Sequence, residues 1–137
     1  MNIRTKDNLV VIVAGIGMLL STLDTGIINV ALPFFKSYFE TTADIAAIAV
    51  TGYTISLAVF ILPFGLLSDK FGKLSFSYIG LIIFGLSSLL CGLSANIQML
   101  IMFRIFQGIG AAALQATSAS LITTLVSAEK SVLLSEF

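Results

Sequence analysis

The chain has 137 residues, of which 58% are hydrophobic and only 10% charged, with a formal net charge of zero and a mean hydropathy of +1.09. Soluble domains run at about 45–50% apolar and about 25% charged residues, so this composition excludes a water-soluble fold and makes the bilayer the natural solvent. Balanced charge offers no basic patch for nucleic acid, and a single cysteine with no histidine leaves neither a disulfide framework nor an ordinary metal site.

Arg4 and Lys6 precede an apolar run that continues past Leu20 with no small-x-small cleavage site after it. The start therefore reads as a retained first span, not a signal peptide. A span needs about 20 mostly apolar residues, and four segments qualify, at about residues 9–35, 45–67, 74–93 and 97–126. The expected fold is all-α and integral to the membrane, with residues 1–8 as a cytoplasmic N-terminus and 127–137 as the start of a cytoplasmic loop. Arg4, Lys6, Lys70, Lys73 and Lys130 fall on one side, while the other has only Lys36 beside Glu40 and Asp44. The positive-inside rule places the N-terminus in the cytoplasm and the outer loops at about 36–44 and 94–96.

Small residues recur in three spans: Gly15 and Gly17 in the first, Gly80 and Gly85 in the third, and Gly108, Gly110 and Ala111 to Ala113 in the fourth. Close helix packing is their simplest use. Pro63 is placed to kink span two, and Pro33 to mark where span one leaves the membrane. Cys91 reads as a small buried or lipid-facing residue.

Two charges lie inside spans, Asp24 and Arg104, each costing about 2.5–3.5 kcal/mol on insertion scales unless sheltered. Asp24 is about 15 residues, or ~22 Å, from the cytoplasmic start of span one, which leaves ~8 Å of a ~30 Å core. Arg104 is about seven residues, or ~10 Å, from the outer end of span four, which runs the opposite way. The two charges therefore fall at nearly the same depth. Arg104, Gln107, Ala111, Gln115 and Ser118 share one helical face, and Gly17, Ser21, Asp24 and Thr25 form a shorter counterpart on span one. Two such faces suggest a shared aqueous cavity. A static ion pair that only fixes helix register explains the charges but not the whole stripe.

Desolvation favours the neutral form of a carboxyl group and a nearby guanidinium favours the anion, so Asp24 between the two is set to take and release a proton as its access changes. Arg104 does not titrate usefully; its expected role is to tune that carboxylate or hold its anion.

Gly65-Leu66-Leu67-Ser68-Asp69-Lys70-Phe71-Gly72-Lys73 resembles the signature between helices two and three of the major facilitator superfamily, G-x-L-a-D-r-x-G-r-k. The family usually has a second basic residue where Leu74 stands here. Leu100 to Ala112, with Arg104, Gln107, Gly108 and Gly110, resembles the helix-four proton-transfer motif l-x-x-x-R-x-x-q-G-x-g-a-a. Leu23 to Pro33, with Asp24, Thr25, Asn29 and Pro33, resembles the helix-one motif l-D-x-T-v-x-n-V-A-l-P of drug:proton antiporters, especially the fourteen-helix group, with Gly26 in place of the usual threonine.

The resemblance implies part of the N-terminal six-helix bundle of a transporter in the plasma membrane, exporting hydrophobic drug-like compounds in exchange for protons. It implies no cofactor beyond the proton gradient, no metal and no enzymatic activity. Asp24 and Arg104 would couple protons, with Thr25, Asn29, Gln107 and Gln115 lining the cavity. Gly65, Asp69, Lys70, Gly72 and Lys73 would form a gating loop, and Gly108 and Gly110 would pack helices. The partners implied are the lipid bilayer, protons, a small-molecule substrate and the transporter's further helices, without which the four spans are expected to be inactive. Two other readings fit the span count: a complete four-span exporter acting as a dimer, like the small multidrug resistance proteins, and a membrane interaction protein that transports nothing.

Overall fold

The computed structural model describes residues 3–136 and holds four helices: α1 (Ile3–Tyr38), α2 (Ala43–Phe71), α3 (Lys73–Gly92) and α4 (Ile97–Ser135). All four contain stretches long and apolar enough to cross a membrane. At 1.5 Å per residue α1 is about 54 Å long and α4 about 58 Å, well beyond a ~30 Å hydrocarbon core, so both project past the lipid or tilt within it.

Short polar turns separate the helices. Thr42 caps α2 by accepting from the Ile45 amide at 3.3 Å, and Asn96 caps α4 by accepting from the Met99 amide at 2.9 Å. Each satisfies one of the donors that a helix start leaves open.

Three boundaries differ from expectation. Pro33 does not end α1, which continues to Tyr38. A proline removes only one ladder bond, and beyond it Phe34 stacks on Tyr38 at 5.5 Å while Tyr38 meets Phe39 edge-on at 4.9 Å. Such an aromatic cluster suits the headgroup level at the end of a span and steadies the last turns. The segment expected as a loop between spans two and three is helical through Phe71, where only Gly72 breaks the chain, at φ +103°. Gly65, Asp69 and Lys70 therefore stand on the last turns of α2, and Lys73 opens α3. A residue with a Cβ resists that φ, which is why a glycine occupies it. The expected loop at 127–137 is, as far as Ser135, the exposed end of α4, because nothing between Val126 and Ser135 breaks a helix. At the other end, α1 already begins at Ile3, within the expected N-terminal tail, and residues 1, 2 and 137 lie outside the described residues.

The bundle is organised around α4, which packs broadly on α2 and α3 and also on α1, while contacts among α1, α2 and α3 are slight. In its most apolar stretch 56% of residues are buried, against 22% in each of the others. Its small residues make this possible. A Cβ on Gly108 would stand 2.5 Å from the Tyr53 carbonyl oxygen of α2, and one on Gly110 would stand 2.7 Å from the Phe84 nitrogen of α3. Gly80 faces the same seam, where a Cβ would stand 2.9 Å from the Ala113 Cβ, and one on Gly17 would stand 3.2 Å from Leu114 Cδ2. Among the described residues nothing lies within 4 Å of where a Cβ on Gly15 or Gly85 would stand, so the packing expected of them does not occur within these four helices.

The outer surface carries exposed Val30, Leu62, Leu66 and Leu93, which lipid solvates and water would not. Exposed Thr22, Thr51 and Thr54 each donate a hydrogen bond to the carbonyl four residues back in their own helix, at 2.8–3.0 Å.

Glycine positions with the same chemistry and different surroundings make a direct check. In the full-length protein, Gly108→Val is expected to lower stability by about 3 kcal/mol or more, since backbone and not a flexible side chain blocks it, while Gly85→Val stays nearly neutral. Thermal unfolding in detergent measures both, and equal losses would contradict the seam.

Candidate functional site

Asp24 on α1 and Arg104 on α4 meet as the depth argument requires. Arg104 Nη1 donates to Asp24 Oδ2 at 2.6 Å and to Gln107 Oε1 at 2.7 Å. Gln107 Nε2 donates to Asp24 Oδ1 at 3.0 Å. Both carboxylate oxygens are thus engaged, one by a charge-assisted bond. Arg104 and Gln107 are each 1% exposed, and the Asp24 side chain is 17% exposed. The carboxylate therefore stands at the open rim of the network, and the guanidinium at its closed end.

The other two helices also reach this point. From α2, the ring of Tyr53 lies 4.2 Å from the guanidinium carbon, and its hydroxyl shares a 3.1 Å hydrogen bond with Ser21. Gln115 of α4 donates to the same Ser21 Oγ at 2.7 Å. From α3, the Cys91 thiol donates to Gln107 Oε1 at 3.6 Å. Cys91, expected as a small buried or lipid-facing residue, is half-buried and joins the network.

The stripe along α4 is polar as expected, yet in these four helices it closes on its neighbours and leaves no open channel. Gln107 is sealed between Asp24 and Arg104, and Ser118 is fully buried beside Gly17. Gln115 is partly buried and also borders an apolar groove with Ile61, Leu62, Gly65, Leu66, Ala116 and Ala119. Thr25 gives its hydroxyl to the Ser21 carbonyl at 3.1 Å, and exposed Asn29 gives its amide to the Thr25 carbonyl at 2.9 Å. Both turn back on α1 and neither joins the ion pair.

At the α2–α3 corner, Lys73 pairs with Asp69 at 3.6 Å and donates to Thr124 of α4 at 2.9 Å, while Ser120 of α4 donates to Asp69 at 3.4 Å. An exposed pair of this kind contributes little stability by itself. Its geometry is more informative, since it ties the α2–α3 corner to α4. Lys70 points elsewhere, its ammonium 5.9 Å from the Phe71 ring.

Sequence reasoning missed Tyr53, Ser120 and Thr124. Tyr53 carried a signal, as a hydroxylated aromatic in the middle of an apolar span. Ser120 and Thr124 sit four residues apart on one face, as Thr123, Ser127, Ser131 and Ser135 of the same helix also do, so no local pattern marks them.

The sequence profile of the Major Facilitator Superfamily matches residues 14–135. The chain is 39% identical over 113 residues to the methylenomycin A resistance protein of Bacillus subtilis, covering 82% of this chain and 24% of that protein. It is 37% identical over 115 residues to the multidrug resistance protein Stp of Mycobacterium tuberculosis, covering 84% and 21%. It is 36% identical over 115 residues to the riboflavin transporter RibZ of Clostridioides difficile, covering 84% and 25%. The chain spans about a quarter of the length of these curated relatives. Four apolar helices of the described kind, a profile match over most of the sequence and relatives among resistance proteins and transporters agree: this chain belongs to the major facilitator superfamily, a family of multi-pass membrane transporters and not of enzymes.

Proposed function

We propose that the full-length protein is a proton-coupled exporter of hydrophobic drug-like compounds, with Asp24 as the group that exchanges the proton and Arg104 as the cation that holds its anion. The observation that carries this reading is the asymmetric ion pair, in which Arg104 is sealed inside the bundle while Asp24 keeps an exposed edge. A pair kept only for register has no need of that opening, and a buried pair is in any case a weak source of stability compared with apolar packing. Protonation of Asp24 removes the anion that Arg104 and Gln107 bind, and so loosens α1 from α4. Deprotonation restores it.

Resistance to methylenomycin A and to multiple drugs in two of the relatives supports export of drug-like cargo, and a riboflavin transporter among them supports other cargo elsewhere in the family. Discrimination between them therefore belongs mostly to helices beyond these four. We place the rest of the path there too, between two related halves, with Thr25 and Asn29 of α1 facing it and the four helices inactive alone. The Asp69, Lys73, Ser120 and Thr124 contacts support a cytoplasmic gate that opens when the α2–α3 corner parts from α4.

Asp24→Asn in the full-length protein keeps the side chain's volume and its ability to accept from Arg104, and removes the titratable proton. Ethidium accumulation in inverted membrane vesicles under an imposed pH gradient, with the membrane potential clamped, is expected to fall to background while membrane abundance is unchanged. Undiminished gradient-driven accumulation would sink the proposal.

The protein is placed in the plasma membrane with its N-terminus inside. In a cysteine-free background, Thr41→Cys should react with a membrane-impermeant maleimide in intact cells, and Lys70→Cys only after permeabilisation. The opposite pattern reverses the orientation.

A further inference from the structure

The hydrogen bonds of Arg104 do not account for its whole head group. Nη1 serves both Asp24 and Gln107, while Nε and Nη2 are buried with no acceptor among the described residues. A guanidinium left in that condition inside a span is costly, and its long stem gives it freedom to swing away. The ring of Tyr53, 4.2 Å from Cζ, supplies what the missing acceptors do not. Attraction between a cation and an aromatic face strengthens when water is excluded, and Tyr53 is 2% exposed.

Tyr53 is itself held at two further points. Its hydroxyl meets Ser21 at 3.1 Å, and Ser21 is held by Gln115 at 2.7 Å. Its main chain lies against Gly108, where a Cβ would fall 2.5 Å from the Tyr53 carbonyl oxygen and 3.2 Å from its Cα. One residue of α2 thus touches α1 through its hydroxyl, Arg104 through its ring and the α4 backbone through its own.

Resting on the proton-coupled reading above, we infer that Tyr53 is the positioning residue of the coupling pair, its ring keeping the Arg104 guanidinium aimed at Asp24 while the carboxyl gains and loses its proton. The ion pair can then break and re-form without the cation wandering. A tyrosine that merely filled the bundle would be replaceable by any apolar side chain of similar bulk.

The experiment compares Tyr53→Phe, which keeps the ring, with Tyr53→Leu, which removes it, in the full-length transporter in inverted vesicles. Two quantities are measured with labelled tetraphenylphosphonium: accumulation driven by a pH gradient with the potential clamped, and exchange at equal concentrations with no gradient. Exchange reports binding and alternation without net proton movement. Tyr53→Phe is expected to stay close to wild type in both. Tyr53→Leu is expected to keep exchange and to lose gradient-driven accumulation by about tenfold or more, the scale of a lost desolvated cation–π contact. If the leucine variant does not reach the membrane, Tyr53→Met takes its place under the same two measurements. Equal accumulation in the ring-keeping and ring-removing variants overturns the inference and leaves the transporter reading intact. So does a parallel loss of exchange and accumulation at normal abundance, which would make Tyr53 a scaffold residue. A wild-type protein with no gradient-driven accumulation sinks the transporter reading, and the inference with it.

Discussion

A guanidinium cannot be left alone in hydrocarbon, and much of the architecture follows from the position of Arg104 on α4. Its insertion cost of about 2.5–3.5 kcal/mol is offset only if other helices bring it an anion, polar groups and a barrier to lipid. That requirement puts α4 at the middle of the bundle, with α1 supplying Asp24, α2 supplying the Tyr53 ring and α3 supplying the Cys91 thiol beside Gln107. The same requirement explains the glycines. Side chains of this length reach one another only if the backbones stand close, and Gly108 against Tyr53 and Gly110 against Phe84 set that distance. Chemistry and packing share one helix because the first is impossible without the second.

Within the network the two charges are unequal in a way that matters more than their separation. Arg104 is enclosed and, among the described residues, carries two unpartnered donors. Asp24 lies at the rim of the network on a helix held more loosely than α2 or α3. A fixed cation facing a carboxyl at the open edge confines any change of charge to one side chain and transmits it along one interface, α1 on α4. The Asp69 and Lys73 contacts with Ser120 and Thr124 lie further along α4, so a single helix carries both the ion pair and the tie to the α2–α3 corner.

Span number, the common depth of Asp24 and Arg104 and the small-residue seam were all legible in the sequence. They depend on length, on 1.5 Å per residue and on residue size, which are properties of single helices. Boundaries were less legible. Pro33 and the Gly65–Lys73 segment carried loop-like residues, yet an aromatic cluster and a lone glycine break settled them in favour of helix. The split between Gly108 and Gly85 was not legible at all, because a glycine declares only that space is short and not which neighbour takes it. Tyr53 stood out only as a hydroxylated aromatic in an apolar span; its partner lies 51 positions away on another helix, and no spacing rule within α2 points to it.

The exposed threonines have a consequence for how these helices move. Thr22, Thr51 and Thr54 spend their hydroxyl protons on their own helix, so none needs a partner across an interface. To such a surface a lipid tail and an apolar side chain are equivalent neighbours. Helices faced in this way can exchange one for the other without breaking a hydrogen bond, whereas any sliding of α1 on α4 or of the α2–α3 corner on α4 would have to break the few polar contacts at Asp24, Asp69 and Lys73.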